Sequence, residues 1–333
     1  MKKKRIGILF ALCLLAGCGR LSNTTTDFFS MDTFMSLTVW ADSEAQAQAA
    51  AVQIEQRINT LSNALSRQVA ASTLAQLNAA NGQPVTLDAD AYAALEKAVQ
   101  YAELTAGAFD PTTAPLSDLW GIGTEQVAVP AESAIQQALS HVGYQNIELL
   151  GSNQARLNNG AQVDLGGIGK GYATDAASGF QTPLLARLGG NIGAYGQNPN
   201  RKDGSWVIGL ADPDNSASYI ATVLVQNESV VTSGDYERYF EQDGIRYHHI
   251  FDPATGYPAQ TGLRAVTVVD QQSTFADAMT TALFVMGLEK GKDFCTQHDI
   301  AAAFITKDRK IYITEGLQGR IALADGADYE IIA

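Results

Sequence analysis

Hydrophobic and polar positions along this chain follow two periods in turn. Met31–Ala41 sets apolar against polar residues at every second position, the pattern of a strand with one buried face. From Ser43 the period lengthens. Ala47, Ala51, Ile54, Ile58 and Leu61 recur at helical spacing, with Ser43 placed as an N-cap. A second helix is predicted over Thr73–Ala80, stopped by Asn81-Gly82. A third starts at Asp88 and carries Leu95, Val99 and Ala102 on one face, and Ala131–Val142 gives a fourth. After Ile147 the pattern turns to strands: Trp206–Leu210, Tyr219–Val225, Val230–Thr232, Arg246–Phe251 and Ala265–Val269, with turn chemistry at Asn158-Asn159-Gly160, Asp212-Pro213-Asp214 and Asp243-Gly244. A helix over Ser273–Gly287, another containing Lys290–His298, and late strands at Ala301–Ile305 and Ile311–Thr314 complete the reading. Helices early and hairpin-linked strands late predict an α+β fold with mostly antiparallel sheets and packed helices. No Pro/Ser linker follows Asp27, so one compact unit over 29–333 is expected, or two tightly joined lobes.

The first residues do not belong to that pattern. Lys2, Lys3, Lys4 and Arg5 precede a short apolar run, Ile6–Leu15, too short for a permanent membrane span. Leu15-Ala16-Gly17-Cys18 then resembles the bacterial lipobox, which implies cleavage before Cys18 and a lipid on its sulfur. An ordinary signal peptide with an incidental cysteine is the plainer alternative. The expected organisation is a signal peptide at 1–17, a polar tether at 18–28 and the folded part beyond. The protein would then be extracytoplasmic and lipid-anchored to a bacterial membrane, with the periplasmic face of the inner membrane as the expected place. Gly19, where inner-membrane retention often goes with Asp, leaves the choice of membrane open.

Loss of those four basic residues takes the formal charge from −13 to about −17. So acidic a chain is a poor partner for nucleic acid or an anionic bilayer surface, and attachment is expected to come from the lipid. Only Cys295 remains beyond the signal, which excludes a disulfide framework and a cysteine zinc site.

Candidate chemistry begins with Asp164-Leu165-Gly166-Gly167-Ile168-Gly169-Lys170-Gly171-Tyr172. A P-loop fails here, because Asp164 stands where the first Gly belongs and Gly171 where Ser or Thr belongs. The dinucleotide pattern fails at Tyr172. What remains is backbone able to approach a ligand closely, with Lys170 available to a phosphate; the plain alternative is a tight turn before a helix at Tyr172–Gly179. Asp277 and Thr281 share one helix face, and a carboxylate with a hydroxyl suits a hard cation that keeps waters and takes phosphate oxygen. An Asp in a first helical turn is also favoured by the macrodipole alone. His248 and His249 point to opposite faces of their strand, so one can face a cleft. Asp252 opens an Asp-Pro-Ala-Thr-Gly turn that it can simply cap.

Taken in order, Ser30-Met31-Asp32-Thr33, Gly107-Ala108-Phe109-Asp110-Pro111, the glycine run, Leu188-Gly189-Gly190-Asn191, Thr232–Tyr239, His249-Ile250-Phe251-Asp252-Pro253 and Ala276-Asp277-Ala278 closely resemble the ApbE family of FAD:protein FMN transferases. The resemblance implies that Met31, Ala108, Phe109, Asp110 and Asp164 line the FAD site, with Lys170 near the cofactor. It implies a backbone contact with flavin from Ile250, or equally from Phe251. The Gly167 carbonyl, Asp277 and Thr281 would hold Mg²⁺. In the loop Ser66-Arg67-Gln68 the family often has an aromatic or basic flavin contact; here the position is Gln68, with Arg67 beside it.

The implied reaction cleaves FAD, releases AMP and attaches FMN through its phosphate to Ser or Thr of acceptor proteins, membrane redox subunits carrying a flavinylation motif being the expected partners. His249, with a pKa near neutrality, is the expected base, Lys170 the charge partner, and Asp252 the next candidate. An FAD pyrophosphatase giving FMN and AMP, or a lipoprotein that only binds flavin, are the alternatives.

Overall fold

The structure, a computed structural model, describes residues 21–333. Its centre is a nine-stranded sheet in the order Ser22–Ser30, Thr33–Ala41, Leu184–Leu188, Asn191–Tyr195, Glu228–Gly234, Leu263–Asp270, Ala301–Thr306, Lys310–Ile313, Glu330–Ile332. Every pair in it is antiparallel except the last. Among the described residues seven helices accompany it: α1 (Glu44–Ala64), α2 (Thr73–Ala79), α3 (Ala89–Leu104), α4 (Ala114–Trp120), α5 (Glu132–Leu139), α6 (Gly166–Ser178) and α7 (Ser273–His298).

Strand alternation builds two apolar faces on this sheet. Val230, Ala265, Val269, Ala303 and Ile305 pack against Trp206, Ile208, Ile220 and Val223 of a three-stranded sheet. Val231, Val266, Val268, Ala302 and Phe304 face the other way, against α3 and α7. The strand Thr33–Ala41 adds Met35, Leu37 and Val39 to that helical side, meeting Ile54, Ile58 and Leu61 of α1 and Ala173 and Ala177 of α6. The helical side therefore carries α6 and α7 together, and the candidate residues lie where those two helices meet. The predicted α+β class and antiparallel sheets are what the structure has, in one unit.

Three local expectations change. Residues 22–28, expected as tether, belong to the edge strand Ser22–Ser30. The reading missed it because Thr24, Thr25 and Thr26 show no apolar alternation. An outer strand needs little apolar burial, and polar side chains suit an exposed edge. The Thr25 and Thr38 hydroxyls lie 3.0 Å apart across the pair. Second, α4 went unread after the Asp110-Pro111 turn. Third, the glycine run is not a turn before a helix but the first part of α6 itself. Glycines inside a helix each cost about 1 kcal/mol against Ala, so packing must favour them. A Cβ on Gly171 would stand 2.4 Å from the Ser273 carbonyl oxygen and 2.8 Å from Asp277 Cβ, and one on Gly167 3.0 Å from the Phe109 ring. Glycine is what lets α6 lie against α7. Residues 1–20, with the signal peptide and Cys18, lie outside the described residues, and among those described no helix is long and apolar enough to cross a membrane.

Candidate active site at the junction of two helices

Asp277 sits in the first turns of α7, 3% exposed. Its Oδ2 accepts the Gly171 amide of α6 at 2.8 Å, and its Oδ1 lies 3.9 Å from Lys170 Nζ. Burial pushes this carboxyl above its usual pKa, and Lys170 and the Gly171 amide offset the rise only in part. A buried carboxylate held in that state is a group awaiting more positive charge.

The neighbouring oxygens fit a hard cation. By helical position the Gly171 amide is the partner of the Gly167 carbonyl, and it donates to Asp277 instead or as well, leaving the Gly167 oxygen with lone-pair capacity. Thr281 is half-buried one turn beyond Asp277. Among the described residues no three His, Cys, Asp or Glu side chains gather as a metal cluster. A cation here would rest on one carboxylate, one hydroxyl, a main-chain oxygen and ligand oxygens, a donor set suited to Mg²⁺.

Two hairpin turns frame this junction. Met31 and Asp32 both have positive φ, 48° and 56°, in a two-residue hairpin turn, and the Met31 amide donates to Ser62 Oγ at 3.3 Å. Gly189-Gly190 forms the next hairpin turn. A Cβ on Gly189 would lie 3.1 Å from Thr33 Oγ1 and 3.5 Å from Lys170 Cδ, so Met31, Thr33 and Lys170 border one region. The Thr232 amide donates to the Gly190 carbonyl at 3.0 Å, which holds the following Gly234–Tyr239 segment against this turn.

The two histidines separate as their alternation requires. His248 is buried; its Nε2 bonds the Ala259 carbonyl at 2.8 Å, its Nδ1 accepts from the Ile250 amide, and its ring meets Phe284 edge-on. It is a core residue. His249 is half-buried, its amide donates to the Arg238 carbonyl at 3.1 Å, and its Nδ1 lies 3.4 Å from that same oxygen. A carbonyl only accepts, so Nδ1 carries the hydrogen and Nε2 keeps its lone pair. Desolvation, then the charges of Arg238, His248 and Lys170, lower its pKa to about 3. The expectation of a value near neutrality is corrected for the ligand-free protein: the His249 ring is neutral over the ordinary pH range.

Several expected residues take different parts. Asp110 is buried, with one oxygen bonded to the Thr112 amide and hydroxyl and the other to the Tyr144 amide. Phe109 is buried under Gly167. Their carboxylate and ring hold the turn, which leaves backbone and the half-buried Ala108 as what this turn offers a ligand. Asp252 spends one oxygen on the Ala254 amide and the other on the Thr255 hydroxyl, the work of a turn cap, which argues against it as a reacting group. Ile250 uses its amide on His248 and its carbonyl on the Ala259 amide. Phe251, opposite Pro258 in an isolated bridge, has its backbone groups on the other side of that ladder, so the alternative contact is the better placed. Gln68 is exposed. It is Arg67 that reaches inward, to Asp164 at 2.9 Å and to Asp118 at 2.7 Å, while Asp164 Oδ1 caps Gly166 at 2.8 Å. Asp164 therefore anchors the start of α6.

Sequence reasoning missed Asp175. Its carboxylate, one turn beyond Gly171, accepts the Ser273 amide at 2.6 Å, the Thr274 amide at 2.9 Å and the Thr274 hydroxyl. It caps α7 from α6, where Gln272 offers no cap of its own. A partner 98 residues away leaves no local signal. Asp175→Ala is expected to lower stability by about 1–2 kcal/mol, the usual loss for a cap, and to raise the cation requirement because Asp277 loses its register. Thermal denaturation and a Mg²⁺ titration of turnover check this; an unchanged melting temperature would deny the cap its role.

A glycine-opened helix start with a lysine, a buried carboxylate facing it and a histidine with a free Nε2 are the features of a candidate site for a ligand that carries phosphate. The chain belongs to the ApbE family, whose model matches residues 31–305. It is 34% identical to the FAD:protein FMN transferase of Treponema pallidum, over 96% of each protein, and 34% identical to one from Klebsiella pneumoniae, over 86% of this chain and 90% of that one. Among solved structures it is similar to the ApbE protein of Thermotoga maritima (TM-score 0.84, 32% identity, 90% of this chain and 99% of that one). It is also similar to the flavinyl transferase ApbE of Pseudomonas stutzeri (TM-score 0.76, 29% identity, 86% and 92%).

Proposed function

We propose that this chain is a Mg²⁺-dependent FAD:protein FMN transferase. The observation that carries the reading is the α6–α7 junction, where Lys170 and the Gly171 amide face Asp277 across a contact that only glycine permits. FAD is the substrate. The acceptor's Ser or Thr hydroxyl attacks the FMN phosphorus, the bond to the AMP oxygen breaks, and AMP leaves with that electron pair. His249 Nε2 takes the hydroxyl proton, its ring fixed by the Arg238 carbonyl on the far nitrogen. Lys170 neutralises phosphate charge. Gly167, Asp277 and Thr281 are the residues that would hold Mg²⁺, which when bound neutralises charge on the pyrophosphate. The acceptors we expect are membrane redox subunits, and Cys18 is the proposed lipid attachment site that holds the enzyme on the extracytoplasmic side of a bacterial membrane.

One assay separates this reading from its alternatives: incubation with FAD and Mg²⁺, with and without an acceptor carrying the Ser/Thr motif. Covalent flavin on the acceptor supports transfer, free FMN with AMP supports hydrolysis, and unchanged FAD supports simple binding. A chelator should abolish turnover and added Mg²⁺ should restore it; full turnover in verified metal-free buffer would exclude the cation. For the anchor, Cys18→Ser is expected to yield a soluble or uncleaved protein, and mass spectrometry of the native chain showing no lipid at residue 18 would end that part of the proposal.

A further inference from the structure

Asn191 follows the Gly189-Gly190 turn and is fully buried, yet neither its Oδ1 nor its Nδ2 makes a hydrogen bond of acceptable geometry. Among the described residues it alone has two buried side-chain atoms in that condition. Leaving a buried amide unsatisfied costs free energy, and natural proteins rarely keep one without use. Its direction is set by the strand. Gly193, two residues on, would place a Cβ 2.7 Å from Thr174 of α6, and Tyr195 packs on the same side, whereas Ala194 faces the small sheet. The Asn191 side chain therefore points toward the α6–α7 junction. It lies beside the Asp277 carboxylate, within hydrogen-bonding reach of it though not aligned for a good bond.

We propose that Asn191 is a positioning residue of the cation centre, its amide holding the Asp277 carboxylate from beneath and serving water bound to the cation. The inference rests on the Mg²⁺ reading above. Groups behind a ligand orient it, and their loss typically weakens metal binding about 10–100-fold. An apolar residue of similar shape removes two unpaired amide atoms together with the support they lend Asp277, so metal-free stability should not fall while the cation requirement rises.

The test uses Asn191→Leu and Asn191→Asp in the full chain, with melting temperature measured metal-free and with Mg²⁺ plus FAD. Asn191→Leu should keep or raise the metal-free melting temperature, leave metal-free FAD affinity unchanged and need about 10–100 times more Mg²⁺ for half-maximal transfer. Asn191→Asp adds a second buried carboxylate. It should melt lower without metal and gain more than wild type from Mg²⁺ with FAD. An unchanged Mg²⁺ requirement in Asn191→Leu overturns the proposal, as does stability, FAD binding and transfer falling together. If Asn191→Leu does not fold, a Mg²⁺ gain in Asn191→Asp no larger than wild type overturns it. Wild type is measured first: turnover without metal would remove the Mg²⁺ reading and this inference together, whereas Mg²⁺-dependent wild type with indifferent variants removes the inference alone.

Discussion

Replacing His249 with Ala is expected to slow FMN transfer by roughly two to four orders of magnitude, the usual contribution of a positioned base, while FAD affinity changes little. The structure adds a pH expectation. His249 has its folded pKa lowered to about 3, so the neutral ring that can take a proton is present from there upward, and kcat/KM should show no limb near neutrality owing to this residue. The same shift acts on stability with a definite sign. An unfolded chain protonates the ring near pH 6.5 and the fold resists it, so His249's contribution is complete above that value and is lost as pH falls toward 3. His249→Ala should flatten this part of the acid-stability curve. Rapid-mixing kinetics and FAD titration from pH 5 to 9 check the catalytic half. A well-folded variant with near-normal transfer would remove His249 from the mechanism.

Asp277→Asn should be comparably severe in rate and opposite in stability. The asparagine oxygen can still accept the Gly171 amide, but the charge that draws a cation is gone. Loss of several kcal/mol of charge stabilisation corresponds to about 10²–10³ in transfer rate. Burial raises the Asp277 pKa, so the fold binds its proton more tightly than the unfolded chain does, and ionisation costs stability as pH rises above the usual carboxylate range. The metal-free variant should therefore melt at or above the wild-type temperature at neutral pH, and Mg²⁺ should no longer raise it. A metal-free Asp277→Asn that is clearly less stable would show that the carboxylate is structural.

These residues differ in how far the chain alone revealed them, for physical reasons. Ala47, Ala51, Ile54, Ile58 and Leu61 all lie fully buried on α1, because one sheet covers one stripe of that helix and leaves its period intact. His248 and His249 parted as a period of two requires. Asp277 and Thr281 were legible as a helix pair, but what makes Asp277 unusual, its burial and its bond to Gly171, comes from a segment 106 residues away. The glycine run misled because glycine's low helix propensity is a local quantity, and its reason here is the Ser273 carbonyl on another helix. Asp175 and Asn191 carry no spacing signal at all, since each acts on a partner that only the folded chain brings near.

The edge strand beginning at Ser22 has a mechanical consequence. With a lipid on Cys18, three residues separate that attachment point from the strand, a reach of at most about 14 Å over four residue steps. From Ser22 the strand runs nine residues to Ser30, about 27 Å, ending beside the Met31 turn that borders Lys170. The enzyme would hang by one end of its edge strand, with the Met31 turn at the other end, in the manner of a short crane arm. Its working radius would be set by the strand, and acceptors whose hydroxyl lies within that radius of the bilayer would be served first.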